Sequence, residues 1–373
     1  MNSKPEKLLH AAQALEATPA NAGVLIGFDG FIDEIIRLVD TRTSPTAYTP
    51  IATITAFSER IAAAAGLSCN IEMVPEQIKL GGNGPIMANN LVEQGYAVTY
   101  CGALGAEGSV HPVFNDFTAR CAGVISLCDP GHTDAVEFDD GKVMLGKMNT
   151  LPSVNWENLL AQISPARLND MLRAVELIGC VNWTMLTEMN SILIGLSAAL
   201  ETLGVRRKIF IDLTDPRKRS REDLSGVLNI LTDLNRVADV VLGLNENESV
   251  QVAEVILGQV DEDLCRRARS IRSRLNLFQV VIHPTRSAAV ATAEGEYFVE
   301  GPYTPKPKLT TGAGDNFNAG YCNGLLSGLD PEGCLIAGVS SSGFYVRNCR
   351  SATRAEQIDF LRAWSKAGGG DMP

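Results

Sequence analysis

Short β-rich runs recur along the chain, most of them followed by a segment of helical period, and this alternation constrains the fold more than any other feature of the sequence. The runs are Gly23 to Phe28, Ala97 to Leu104, Val124 to Leu127, Leu177 to Val181, Lys208 to Leu213, Val237 to Leu242 and Phe278 to His283. Strands joined by crossover helices pair in parallel, so the pattern predicts an α/β layered fold around a mainly parallel sheet. Ligands are then expected outside the carboxyl ends of the strands. The chain has 373 residues, 45% apolar and 20% charged, which is enough to bury a large core and excludes disorder as the main state. No internal repeat, low-complexity tract or Pro/Ser-rich linker divides it, so residues 1–373 read as one domain with an excursion.

Two stretches break the alternation. Ala135 to Phe138 and Lys142 to Gly146 flank Asp139-Asp140-Gly141, a hairpin signal, and Ile71 to Val74 is another short extended run before a Gly-rich loop. An Ala-rich helix is expected over Ile51 to Gly66. A surface helix is expected over residues 1–18, and helices over Gly312 to Ser327, Pro331 to Val346 and Ala355 to Ala367, with a frayed tail from Gly368.

The charge balance of 32 Lys and Arg against 43 Asp and Glu leaves −11, which repels phosphate backbones and argues against nucleic-acid or anionic-membrane partners. Apolar stretches such as Ile61 to Ala65 fall far short of the roughly 20 residues that cross a bilayer. Glu6, His10 and Glu16 interrupt the N-terminal segment, so no secretion signal is read there. Nine scattered Cys without a Cys-x-x-Cys pair fit buried thiols in a reducing compartment, and the expected location is cytoplasmic. No local signature supports a catalytic Cys with any of the four His.

The strongest local signal is Thr310-Thr311-Gly312-Ala313-Gly314-Asp315-Asn316-Phe317-Asn318-Ala319-Gly320, a Gly-rich turn running into a helix. Free N–H groups at a helix start bind anions, and glycines let a phosphate come close. A carboxylate there would repel that phosphate, unless it takes a proton from an attacking hydroxyl while the N–H groups hold charge on a phosphoryl group in transfer. The plainer reading is that Asp315 caps the helix. A Walker loop fails, because neither Gly141-Lys142 nor Gly146-Lys147 is followed by Ser or Thr, and a dinucleotide fingerprint fails on the spacing of Gly320.

These residues resemble the C-terminal signature of the ribokinase-like, or PfkB-type, carbohydrate kinases. Gly81-Gly82-Asn83-Gly84 through Gly95 is similar to that family's N-terminal signature, Gly102-Ala103-Leu104-Gly105 to its next element, and Asn245-Glu246-Asn247-Glu248 to its Asn-x-x-Glu motif. The resemblance covers roughly residues 23–365. It implies a three-layer, doubly wound α/β fold with a small β lid, the lid excursions being residues 41–80 and 131–150. The implied activity is transfer of the γ-phosphate of ATP to a hydroxyl of a small carbohydrate, with Mg²⁺.

The same resemblance implies the roles. Asp315 matches the general base, and Gly312, Ala313 and Gly314 the backbone anion hole. Asn245 and Glu248 match the residues that organise Mg²⁺, largely through water, and the nucleotide phosphates. Thr311 and His283 are further nucleotide candidates, His283 because His283-Pro284-Thr285-Arg286 replaces a Gly-rich turn. Asp33 matches a carboxylate that grips sugar hydroxyls, with Asp29 a competitor and Gly82 and Asn83 further sugar contacts. Arg217, Lys218 and Arg219 read as a solvated basic turn, or alternatively as charges facing phosphates.

Two other readings stay open: a nucleoside kinase with Phe28 and Phe31 forming a slot for a base, and a non-catalytic sugar or nucleotide sensor on the same fold. An open lid edge would favour a homodimer through the lid. The chain also departs from the family pattern. Ile86 stands where an Asn is usual, and the long interval from Asp33 to Gly81 suggests an inserted helix near the lid. Leu309 replaces an Asp that contributes to a monovalent-cation site in many members, and Leu offers such an ion no oxygen. Turnover is therefore expected to change by less than about threefold when K⁺ is exchanged for a large inert cation at constant ionic strength, about 0.65 kcal/mol on the barrier. Activation of about tenfold or more by K⁺ would contradict this.

Overall fold

A strand buried on both faces needs apolar residues at successive positions, and the runs above supply them. In the computed structural model, which describes residues 3–106 and 108–372, the first half of the chain forms β1 (Gly23–Phe28), β2 (Phe31–Arg42), β3 (Tyr48–Pro50), β4 (Met73–Gly81), β5 (Ala97–Gly102), β6 (Gly123–Ser126), β7 (Gly131–Phe138) and β8 (Gly141–Lys147). The second half adds β9 (Val175–Cys180), β10 (Lys208–Asp212), β11 (Asp239–Leu244), β12 (Gln279–Ile282), β13 (Ser287–Ala291) and β14 (Glu296–Glu300). Nine of these make the main sheet, in the order β14-β13-β12-β11-β10-β9-β1-β5-β6. Neighbours from β6 to β12 are parallel, and β13 and β14 are added antiparallel.

Alternation along each strand divides the core into two layers. Leu25, Ile209 and Ile211 pack on one face against Leu172, Leu196 and Leu228. Val24, Ile26 and Phe210 pack on the other against Met87, Tyr321 and Leu335. Helices thus cover both faces of a mainly parallel sheet, the three-layer doubly wound arrangement that was expected. The chain leaves β1 toward β5 and β6 and returns on the opposite side through β9 and β10, so the order reverses between β1 and β9. A crevice opens outside the carboxyl ends of strands at such a point.

The second sheet runs β3-β2-β7-β8, with β4 also paired to β2. Its long strand β2 begins ahead of residue 41, where the sequence pattern starts the excursion. No strand was expected over Phe31 to Arg42, because Asp33, Glu34 and Arg37 interrupt its apolar residues. Pairing with β4 on one side and β7 on the other holds it extended nonetheless. Likewise β13 was missed because Ser-Ala-Ala-Val-Ala carries little strand signal by itself. Helix Ile54–Ala63 occupies the long interval before Gly81 and sets Ile54 and Phe57 on a small core of Ile36, Leu38, Val136 and Phe138.

Helix Ala313–Leu326 lies along helix Pro331–Asn348, and Gly320 sits where they pack tightly. A Cβ there would stand 2.6 Å from the Ala337 carbonyl oxygen and 2.5 Å from the Ser341 Cβ. In an open helix Gly→Ala gains up to about 1 kcal/mol. Here Gly320→Ala is expected to lose about 1–3 kcal/mol, because the two helices must separate. Urea titration of both proteins checks the sign.

Candidate active site

Gly312, at φ 90°, turns the chain into helix Ala313–Leu326 and places Asp315 in its first turn. The Asp315 carboxylate is buried and accepts one hydrogen bond, from Asn83 Nδ2 at 2.8 Å. Burial first, then the neighbouring charges of Asp212, Asp29 and Glu248, hold its proton affinity well above the ordinary carboxylate range. Gly314 is exposed beside it. The Ala313 amide donates to the Thr310 carbonyl at 3.1 Å. Of the three residues expected in an anion hole, Ala313 is therefore the one whose N–H is engaged.

Asn83 is set by the opposite side of the crevice. It opens helix Asn83–Glu93, and its N–H and that of Gly84 donate to the two oxygens of Asp29 at 2.9 and 2.8 Å. Asn182 Nδ2 donates to Asp29 as well, at 2.6 Å. Burial raises Asp29 to about 6 in spite of these donors.

The far wall follows β10, β11 and β12. Asn245 and Glu248 form a capping box: Asn245 Oδ1 accepts from the Glu248 N–H at 3.0 Å, and Glu248 accepts from the Asn245 N–H at 2.9 Å and from its amide at 2.7 Å. The Asp215 N–H also donates to Glu248, at 3.1 Å. Burial and the Asp212 charge raise Glu248 to about 7. His283 stacks on Phe317 with ring centroids 4.4 Å apart, and desolvation lowers it to about 4, so the ring is neutral. A cavity of about 580 Å³ is lined by Asn83, Asp212, Asn245, Glu248, His283 and Asp315, with Gly312, Ala313 and Gly314 on the same wall.

Not every expected residue reaches that cavity. Asp29 is wholly buried behind Asn83, as a helix cap. Asp33 lies on β2, part-buried beside Gly81, with Thr133 as its hydrogen-bond partner and burial raising its affinity for a proton. Gly82 precedes Asn83 and packs on Asp29. Thr311 is exposed, and its carbonyl accepts from Tyr345 Oη at 2.8 Å. Arg219 corrects the expectation of a solvated basic turn: its guanidinium lies 4.3 Å over the Trp183 ring, and Nε donates to Asp223 at 3.3 Å. Phe28 and Phe31 are core residues, and neither is among the residues that line the cavity.

Asp212 was overlooked. Its carboxylate is buried and accepts from Thr214 Oγ1 and Asn318 Nδ2, both at 2.7 Å. An acidic residue ending an apolar parallel strand was the signal that could have found it. Burial raises Asp212, and the largest charge acting on both Glu248 and Asp315 is that of Asp212. An oxygen-rich acidic wall of this kind fits a hard divalent ion such as Mg²⁺.

Known proteins resemble this chain over most of its length. The family model of prokaryotic ketohexokinase matches residues 3–364. A ketohexokinase of Haloferax volcanii is 29% identical over 348 residues, covering 92% of this chain and 90% of its own. Among solved structures, Arabidopsis thaliana ribokinase complexed with ribose and ATP is 16% identical with a TM-score of 0.64, covering 92% of this chain and 99% of its own. Adenosine kinase from Sinorhizobium meliloti is 15% identical with a TM-score of 0.63, covering 93% and 99%.

The raised carboxylates have a consequence for stability. Glu248 titrates near 4.5 in an unfolded chain and at about 7 when folded. Its contribution is fully present below about pH 4.5 and is lost as pH rises through about 7, since folding then buries an ionised group. Glu248→Gln removes that loss. Relative to the parent, the variant is expected to gain on the order of 1–3 kcal/mol between about pH 5 and about pH 8 in the absence of divalent ions. Urea midpoints at the two pH values measure it.

Proposed function

Since the chain belongs to the prokaryotic ketohexokinase family and is an ATP-dependent carbohydrate kinase, we propose that it transfers the γ-phosphate of ATP to a primary hydroxyl of a ketohexose, with Asp315 as general base. The observation that carries this reading is the Asp315 carboxylate, held by Asn83 at the start of a glycine-opened helix and facing the cavity. A carboxylate with raised proton affinity accepts the hydroxyl proton as the oxygen attacks. The exposed first turn at Gly314 offers N–H groups to the phosphoryl oxygens. Asn83 fixes the rotamer of Asp315, so the base need not reorganise during the step.

Asp33 and Thr133, on the face of the second sheet that carries Phe31, are proposed to meet the sugar hydroxyls. Mg²⁺, when bound, would neutralise phosphate charge, with Glu248, Asn245 and Asp212 the residues to hold it, partly through water. Placement in the cytoplasm accords with the chemistry, and among the described residues no helix is long and apolar enough to cross a membrane. We also propose that a second copy pairs at the second sheet, where Met73 and Ile78 of β4 and Met144 and Leu145 of β8 are exposed.

Asp315→Asn is expected to keep the fold and to lower kcat by on the order of 10² to 10⁴. Near-normal turnover in that variant would return Asp315 to the role of helix cap. A panel of ketohexoses, aldoses and nucleosides with ATP and Mg²⁺ is expected to give phosphorylated product most efficiently from a ketohexose. Preference for a nucleoside, or no transfer to any acceptor, would overturn the proposal.

A further inference from the structure

Successive residues of β2 and β7 point to opposite faces of the second sheet. Asp33 and Thr133, partners in the β2–β7 register, share one face. Glu34, Asp134 and His132 share the other, with Glu34 opposite Asp134. On that outer face His132 Nε2 lies 3.5 Å from Glu34 Oε1 and 3.2 Å from Asp134 Oδ1. The three ligand atoms all lie within 4.8 Å of one another. Their side chains are 23%, 28% and 9% exposed for Glu34, His132 and Asp134, which is sheltered but open to solvent.

These separations bear on what can sit between them. An ion about 2.0–2.1 Å from each of two donors in a tetrahedral arrangement holds the donors about 3.3–3.4 Å apart. The two measured edges bracket that value. Asp134 also accepts from Lys147, whose Nζ lies 3.0 Å from Oδ2. The same ammonium also donates to Oδ1 at 3.1 Å, the oxygen that faces His132, so it orients the carboxylate and competes with an ion for that atom. One imidazole and two carboxylates suit a borderline ion of the zinc type better than Ca²⁺ or Mg²⁺.

We propose that Glu34, His132 and Asp134 form a binding site for a divalent transition ion of the Zn²⁺ class, which ties β2 to β7 on the face away from Asp33. The rival occupant of the Nε2 lone pair is a proton, which would leave an imidazolium bridging two carboxylates.

Zn²⁺ titrated calorimetrically into the metal-stripped full chain decides between them. Cys69→Ser and Cys349→Ser first remove the two exposed thiols. One equivalent is expected to bind with Kd below about 10 μM and to raise the Tm. His132→Gln and Glu34→Gln are each expected to weaken binding by about tenfold or more, with far-UV circular dichroism unchanged. Lys147→Met removes a competing cation without touching a ligand, and is expected to tighten binding about threefold. Zn²⁺ binding of undiminished strength in both ligand variants, weaker binding in Lys147→Met, or no saturable site in the parent would each overturn the proposal.

Discussion

The Asp29 carboxylate holds the crevice together. It follows β1 where the strand order reverses, and it accepts from the N–H groups of Asn83 and Gly84 and from the amide of Asn182. Three donors are needed to keep a wholly buried carboxyl group in place, and even so burial raises it to about 6. The ends of β1 and β9 and the start of helix Asn83–Glu93 are thereby fixed to one group. Asn83 then passes that order to Asp315, so the Asp315 carboxylate is positioned from the side of the crevice opposite to its own helix.

A second constraint works against the first. Asp212, Glu248 and Asp315 crowd one wall, each pushed toward the protonated form by burial, and Glu248 and Asp315 further by the charge of Asp212. Such an arrangement costs stability in the ligand-free chain and is relieved by a cation. The capping box of Asn245 and Glu248 shows how the cost is contained: the carboxylate accepts three hydrogen bonds while it faces the cavity. Helix capping and ion binding, which seem rival readings of Asn-x-x-Glu in the sequence, use the same atoms. The same holds for Asp315, whose place in the first helical turn does not compete with its exposure to a ligand.

The sequence made the parallel strands legible because each is a continuous apolar run, and it made the Gly312 to Asp315 turn legible because glycine and aspartate before an apolar helix have few other uses. Distinguishing Asp29 from Asp33 was beyond it. Both are acidic residues just after the first strand, and only the fold shows that one is buried as a cap while the other is carried out on β2. Asp212 could be found in the sequence only by its place at the end of an apolar strand, because its meaning comes from Asn318, Glu248 and Asp315, distant in sequence and joined through the strand order. Arg219 looked solvated because a run of basic residues carries no sign of an aromatic ring waiting at Trp183.

The second sheet is joined to the first along a narrow seam. Only Asp29 and Gly30 separate β1 from β2, and a Cβ at Gly30 would stand 1.9 Å from the Ala103 carbonyl oxygen. Beside it the Gly131 N–H donates to the Gly30 carbonyl at 2.8 Å, and Gly81 and Gly131 flank Phe31 in the register of β4 and β7. The backbones come together there, with the Phe31 ring against Gly131 and the Asp33 carboxylate against Gly81. Strand β4 ends at Gly81 and helix Asn83–Glu93 begins two residues later. Through Gly82 and Asn83, the strand that pairs with Asp33 thus runs directly into the hydrogen bond that positions Asp315.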